Sequence, residues 1–289
     1  MKDGLIVVDK PVGYTSRDIV NIVGRFLNTK KVGHAGTLDP IATGVLVVGV
    51  GEGLKLIEFL STEEKEYVAR AKFGVSTDTL DVTGNIIEST ENYFVNESKL
   101  VDVLKSFKGK YFQEVPLYSS VKVNGKKLYS YARQNIDVTL PVREVEIFDI
   151  ELLSIDHYGF TFKVRVSKGT YIRSLIRDIG EKIGINCAMS SLRRTIQGDF
   201  NLDDAIQLDD IENNDIKYVS WERALKRFPR VTADSYLERR ILNGSILENR
   251  YDSPVILFEN SKGEILAMYK VYEKDSSKVK PMKVFNLKG

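Results

Sequence analysis

Two hydrophobic periodicities take turns along this chain. GLIVVDKP is apolar over consecutive positions and stops at Pro11, so it reads as a buried strand. A helix is predicted to start near Thr15 or Ser16, because Ile19, Val20, Ile22, Val23, Phe26 and Leu27 then share one broad apolar face. GVLVVGV is apolar throughout and of strand length, as expected of a strand covered on both sides. KEYVARAKFG alternates instead, with Tyr67, Ala69, Ala71 and Phe73 on one face and Arg70 and Lys72 on the other. NESKLVDVLKSFKG predicts a helix capped by Asn96 and stopped at Gly109. GFTFKVRV alternates as a strand, and SKGTYIRSLIRDIGEKIG turns that strand into a helix with Thr170 as cap and Gly184 as stop.

Strands and helices follow one another in mixed order, without a repeating βαβ unit. The expected fold class is therefore α+β, a mixed β-sheet core with flanking helices. The segment 113–136, QEVPLYSSVKVNGKKLYSYARQN and the following Ile136, carries a proline, an Asn-Gly turn, three tyrosines and several lysines. It predicts a loop or hairpin followed by a short helix facing solvent. Near residue 225 the texture changes: VTADSYLERRILNG reads as a helix and SPVILFENSKGEILAMYKVY as two strands. Residues 1–227 and 228–289 are expected to form a large and a small domain.

Composition narrows the class. Of 289 residues, 43% are hydrophobic and 28% charged, typical of a globular chain, and no apolar run reaches membrane-span length. The N-terminus lacks the apolar core of a signal peptide. The single cysteine, Cys187, excludes an internal disulfide and fits a reducing cytoplasm. With only His34 and His157 besides, zinc spacing is absent and no metal is expected.

The net charge of +2 says little, but its distribution says more. Val115 to Ile136 holds Lys122, Lys126, Lys127 and Arg133 and no acid. His157 to Arg177 holds Lys163, Arg165, Lys168, Arg173 and Arg177, again with no acid. Acids gather in LDDAIQLDDIENND, and the tail from Lys274 to Lys288 is lysine-rich. This segregation predicts a polyanion-binding face.

Common catalytic motifs are missing. GVGEGLK lacks the spacing of a phosphate loop, and no dinucleotide fingerprint occurs. STDTLDVTG lacks calcium-loop spacing and reads as a polar turn. GHAGTLDPIATGVL stands out, because Asp39 precedes a proline that favours extended backbone, inside a glycine-punctuated loop. A lone aspartate there suits an ionised nucleophile or electrostatic partner, an arginine such as Arg173 would keep it anionic, and Tyr67 and Tyr171 suit stacking on a base. The residues alone point to an enzyme or binder of nucleic acid with an Asp-centred site.

Together these segments resemble the TruB family of tRNA pseudouridine synthases. DKPVGYTS, GHAGTLDPIATGVL, KEYVARAKFG, STDTLDVTG, PLYSSVKVNGKKLYSYAR, SKGTYIRSLIRDIG and SSLRRTIQGDF follow one another in family order from about residue 4 to 200. The resemblance implies cofactor-free isomerisation of uridine 55 in the T-loop of tRNA to pseudouridine. By carry-over Asp39 is the nucleophile or its equivalent and Arg173 its ion-pair partner. Tyr67 stacks under the uracil and assists removal of the C5 proton. His34 holds the flipped loop, and Tyr171 and Leu192 line the base pocket. The 113–136 insertion clamps the T-loop, with Lys122, Lys126, Lys127 and Arg133 as RNA contacts, and residues 228–289 form a PUA-like RNA-binding domain. The expected partner is the T-arm stem-loop of tRNA, with no membrane and no obligatory protein partner, the enzyme acting as a cytoplasmic monomer. A non-catalytic RNA chaperone and an RNA-guided uridine isomerase share this scaffold. The intact Asp39, Arg173 and Tyr67 set speaks against the first and the complete insertion against the second.

Overall fold

The computed structural model describes residues 3–61 and 64–285. Its centre is a mixed sheet. Strand β1 (Gly4–Lys10) pairs antiparallel with β3 (Ala42–Val50), and β2 (Val32–Ala35) pairs with β3 as well. Next to β3 lies the strand Cys187–Gln197, parallel to it, and then β4 (Lys65–Phe73), antiparallel. Gly159–Val166, Val142–Asp156 and, at the edge, Gly109–Glu114 complete the path. This is the α+β mixed sheet expected from the element order.

The apolar runs in β1 and β3 have a simple cause: the sheet is covered on both faces. Ile6, Val8, Leu46 and Val48 belong to the core that also takes in the apolar faces of helix α1 (Ser16–Phe26) and the helices Glu97–Ser106 and Ile172–Ile183. Leu5, Val7, Val45 and Val47 point the other way, onto Phe59, Leu225 and the C-terminal residues Leu257, Met268 and Phe285. Alternation in β4 is retained, with Tyr67, Ala69, Ala71 and Phe73 buried.

Local signals set the helix ends. Thr15 and Asp18 form a reciprocal capping box for α1, and Asn96 accepts from the Lys99 N–H. Gly184 stops its helix at φ 81°, a left-handed conformation that costs glycine little. Thr170 is not the cap of that helix. Tyr171 occupies the position without a capping side chain, and the Thr170 hydroxyl donates to Ser167 O at 3.0 Å.

The C-terminal residues form a second, five-stranded sheet, Arg230–Thr232, Val255–Glu259, Ile265–Tyr272, Asp275–Val284 and Leu247–Glu248, with the helix Ser235–Leu242 against it. It is a PUA-like unit with its own core, and it also seals the central sheet. The lysine-rich tail is mostly a strand of this sheet. Lys278, Lys280 and Lys283 pair with Asp275, Glu273 and Glu58; Lys288 lies outside the described residues. Within the run from His157 to Arg177, Lys163, Arg165 and Arg177 pair with Glu151, Glu64 and Glu114 and Arg173 is buried, which leaves Lys168 as its exposed cation without an ion pair among the described residues.

The parallel pairing of β3 with Cys187–Gln197 decides where the site forms. Leu192 lies beside Ala42 and Arg194 beside Gly44, while across the other edge Arg194 faces Tyr67. Gly44 has φ 98°, and a Cβ there would stand 2.2 Å from Arg194 O. Gly44→Ala should therefore destabilise the protein by at least about 2 kcal/mol in urea unfolding, through a strained backbone and a split strand pair. A change within about 0.5 kcal/mol would show that this close approach is not needed.

Candidate active site

Asp39 sits on the connection between β2 and β3, and that connection is pinned on both sides of it. Ahead of it, the Leu38 N–H donates to Ser16 Oγ at 2.8 Å while the Ser16 hydroxyl donates back to Leu38 O at 3.2 Å. Behind it, Pro40 O accepts from the Gly13 N–H at 2.8 Å, and Asp39 O accepts from the Ala42 N–H at 3.0 Å. Lys10 braces the facing turn. Its fully buried ammonium donates to Pro11 O at 2.9 Å and Tyr14 O at 2.6 Å and lies 3.5 Å from Pro40 O. Burial lowers the Lys10 pKa to about 8, with Arg194 pushing the same way and Asp39 opposing.

Arg173, in the first turn of its helix, reaches the Asp39 carboxylate. Its Nε stands 3.0 Å from Asp39 Oδ2, Nη1 donates to Thr79 O at 2.7 Å, and Nη2 donates to Tyr118 O at 3.0 Å. A second carboxylate, Asp81, stands 3.9 Å from Nη1. The Arg173 side chain is 6% exposed and that of Asp39 37%, so the pair has a buried donor and an accessible carboxylate. STDTLDVTG is thus more than a polar turn. Asp81 is buried, its Oδ1 accepts from the Thr83 N–H at 2.9 Å and from the Thr79 hydroxyl at 3.0 Å, and neighbouring Leu80 takes φ 62°, a conformation costly for a branched side chain.

The Asp39 carboxylate opens into a pocket of about 540 Å³ whose walls include Tyr67, Tyr118, Tyr129, Tyr171 and Leu192. Arg133 also lines it and, with Lys127, lies over the Tyr129 ring at 5.5 and 5.6 Å. Lys122, Lys126 and Lys127 sit on an exposed hairpin outside the pocket, and the short helix Leu128–Arg133 follows, as the 113–136 pattern predicts. His34 does not line the pocket. It lies on β2, with Nδ1 buried and unpartnered, and its pKa is lowered by burial and then by Arg194 and Arg17, so the imidazole is neutral at pH 7.

Two further residues are absent from the sequence reading. Gln113 is buried and holds both backbone groups of Tyr171: Oε1 accepts from its N–H at 2.8 Å and Nε2 donates to its carbonyl at 3.1 Å. This replaces the missing side-chain cap and aims both the Tyr171 ring and, two residues on, Arg173. Arg194 is fully buried beside Tyr67, donating from Nε to Val45 O at 2.7 Å and from Nη2 to Gly36 O at 3.1 Å, so it ties together the two ends of the Asp39 connection. Neither residue announces itself in sequence, because each acts through backbone atoms of a distant segment.

Two measurements test this geometry. Gln113→Met keeps the volume but leaves the Tyr171 backbone groups unpaired, and should cost about 1–3 kcal/mol in urea unfolding; no loss would remove Gln113 from the framework. Lys10 has a folded pKa near 8 against an ordinary value of 10.5, so between those values the unfolded chain binds the extra proton and stability rises with pH. In that window Lys10→Met should reduce the slope of unfolding free energy against pH by about 1.4 kcal/mol per unit. Equal slopes would mean that the ammonium titrates normally.

Comparison with known proteins gives the family. Residues 24–172 match the model described as "TruB family pseudouridylate synthase (N terminal domain)", and residues 173–242 match "tRNA pseudouridylate synthase B C-terminal domain". The chain is 40% identical over 295 residues to a tRNA pseudouridine synthase B of Shouchella clausii (strain KSM-K16), covering 98% of each. It is 42% identical over 281 residues to the protein of the same name from Bacillus subtilis (strain 168), covering 93% of this chain and 90% of that one. Among solved structures, one described as "Crystal Structure of a Cbf5-Nop10-Gar1 Complex" superposes with a TM-score of 0.73 at 28% identity, over 98% of this chain and 84% of that one.

Proposed function

Because the chain belongs to the TruB family of pseudouridylate synthases and is therefore an isomerase, we propose that it acts on tRNA and converts uridine 55 of the T-loop to pseudouridine. The observation that carries this reading is the accessible Asp39 carboxylate, 3.0 Å from the buried Arg173 guanidinium, at a pocket walled by tyrosines.

The reaction breaks the N1–C1′ bond, turns the uracil and joins C5 to C1′, after which the C5 proton leaves and N1 gains one. Nothing is gained or lost overall. Asp39 supplies the anionic oxygen at the ribose–base junction, whether by attack on C6 or C1′ or by assisting a glycal intermediate. Arg173 holds that oxygen in place through the 3.0 Å contact from its Nε. Tyr67 stacks under the base and assists proton removal from C5, while Tyr171 and Leu192 bound its other sides. His34, next to the pocket and neutral, steadies the loop from which the nucleotide has turned out. Extrusion costs ~a few kcal/mol, and contacts to splayed bases and backbone offset it. Lys122, Lys126, Lys127 and Arg133 on the 113–136 insertion supply such contacts, with Tyr129 between two of the cations. We assign catalysis to residues 1–227 and RNA-body contacts to 228–289, and take the active species to be a cytoplasmic monomer working without a protein partner.

Tritium release from a T-arm RNA carrying 5-tritiated uridine tests the reading. The wild type should release tritium, and Asp39→Ala should fall at least about 10³-fold while still binding the RNA. Binding without release by either protein would favour the RNA-chaperone reading.

A further inference from the structure

A second cavity lies outside the Asp39 pocket. It is a cleft of about 630 Å³ between α1 and the turn into β2, and its walls include Arg17, Asn21, Arg25, Thr29 and Lys30. No acid lines it. Arg17, Arg25 and Lys30 are exposed, and among the described residues none of the three makes an ion pair. Asp18, the nearest acid in sequence, is taken up by the N–H and hydroxyl of Thr15.

The helix end at this cleft does not cancel its charge. Terminal carbonyls of α1 carry the equivalent of about half a negative elementary charge, which Arg25 in the last turn offsets. Arg17 and Lys30 remain in excess. The turn itself is built to present them: Asn28 takes φ 48°, Thr29 N–H donates to Gly24 O at 2.8 Å, and Lys31 N–H donates to Thr29 Oγ1 at 3.2 Å.

The cleft lies a short length of chain away from the Asp39 pocket. Val32, on its wall, begins β2, and seven residues later the same stretch of chain reaches Asp39, a span of at most about 25 Å. Between them lies His34, close enough to be influenced both by Arg17 of the cleft and by Arg194 of the pocket. These cations therefore lie within reach of a polyanion held at Asp39.

We infer that the Arg17–Arg25–Lys30 cleft is a phosphodiester-binding site for the backbone of the T-arm stem that flanks the target loop. The inference rests on the proposed action on tRNA. Phosphate contacts of this kind fix register and carry no sequence information. They also leave a signature, since each cation that displaces a counterion adds about 0.7–0.9 to the slope of log affinity against log salt.

The test is equilibrium binding of a T-arm stem-loop RNA between 50 and 200 mM KCl, in an Asp39→Ala background so that no substrate is consumed. Arg17→Gln, Arg25→Gln and Lys30→Gln together should weaken binding about 10- to 100-fold at the lowest salt and make the slope shallower by about 2. Arg17→Lys with Arg25→Lys should keep the parent slope, which separates charge from folding. Unchanged affinity and slope in the triple glutamine variant, while wild type still releases tritium from the same RNA, would overturn the cleft and leave the proposed function standing. Absence of both tritium release and RNA binding in wild type would overturn the two together. Saturable binding of inorganic phosphate lost in the variant, with the RNA slope intact, would assign the cleft to a free anion and overturn the RNA contact.

Discussion

One guanidinium organises this site. Arg173 gathers the Asp39 carboxylate, the Thr79 and Tyr118 carbonyls and, more distantly, the Asp81 carboxylate, drawing on three separate segments of chain. Removing a buried cation from water is expensive, and what makes it tolerable is that each of its three nitrogens has an oxygen partner and two anions are near. A lysine offers a point charge on a flexible stem and cannot match a planar fork of five donors to partners spread around it. The same geometry that satisfies the arginine therefore fixes the aspartate, and precision at the carboxylate comes from the packing of the helix start.

Support for that helix start runs backward through the framework. Gln113 grips Tyr171 by both backbone groups, Ser174 Oγ donates to Glu114 O at 2.9 Å, and Arg177 pairs with Glu114. The root of the 113–136 insertion is thus bonded to the helix that carries Arg173. On the opposite side Ser16 and Lys10 hold the Asp39 connection against α1 and β1. The two halves meet across the carboxylate, so the segment proposed to grip RNA and the segment that carries Asp39 belong to one bonded unit.

Much of the fold was legible in the hydrophobic pattern, because covered faces and alternating faces leave distinct marks. β3 reads as buried on both sides and is, and Tyr67 shares a face with Ala69 and Ala71 as its alternation requires. Asp39 was legible for another reason, since a carboxylate in a glycine-shaped loop has no part in a core. What stayed hidden depends on tertiary neighbours. Asp81 looks like a turn residue until Arg173 is beside it. Thr170 has the chemistry of a cap, yet the tertiary clamp by Gln113 displaces it. The lysines of the tail suggested an extension of the basic surface, and only the sheet shows that Asp275, Glu273 and Glu58 pair with Lys278, Lys280 and Lys283.

The parallel pairing of Ala42–Gly44 with Leu192–Arg194 also has a consequence in time. During synthesis at about 5–20 residues per second, the Asp39 loop leaves the ribosome on the order of ten seconds before Arg173 and Leu192 exist. Closing so long a chain segment brings no return until the strand Cys187–Gln197 inserts between β3 and β4. Until then the aspartate has neither partner nor pocket. The pocket around the aspartate is therefore a late feature of folding, assembled only after the strand Cys187–Gln197 has been made and has found its place between β3 and β4.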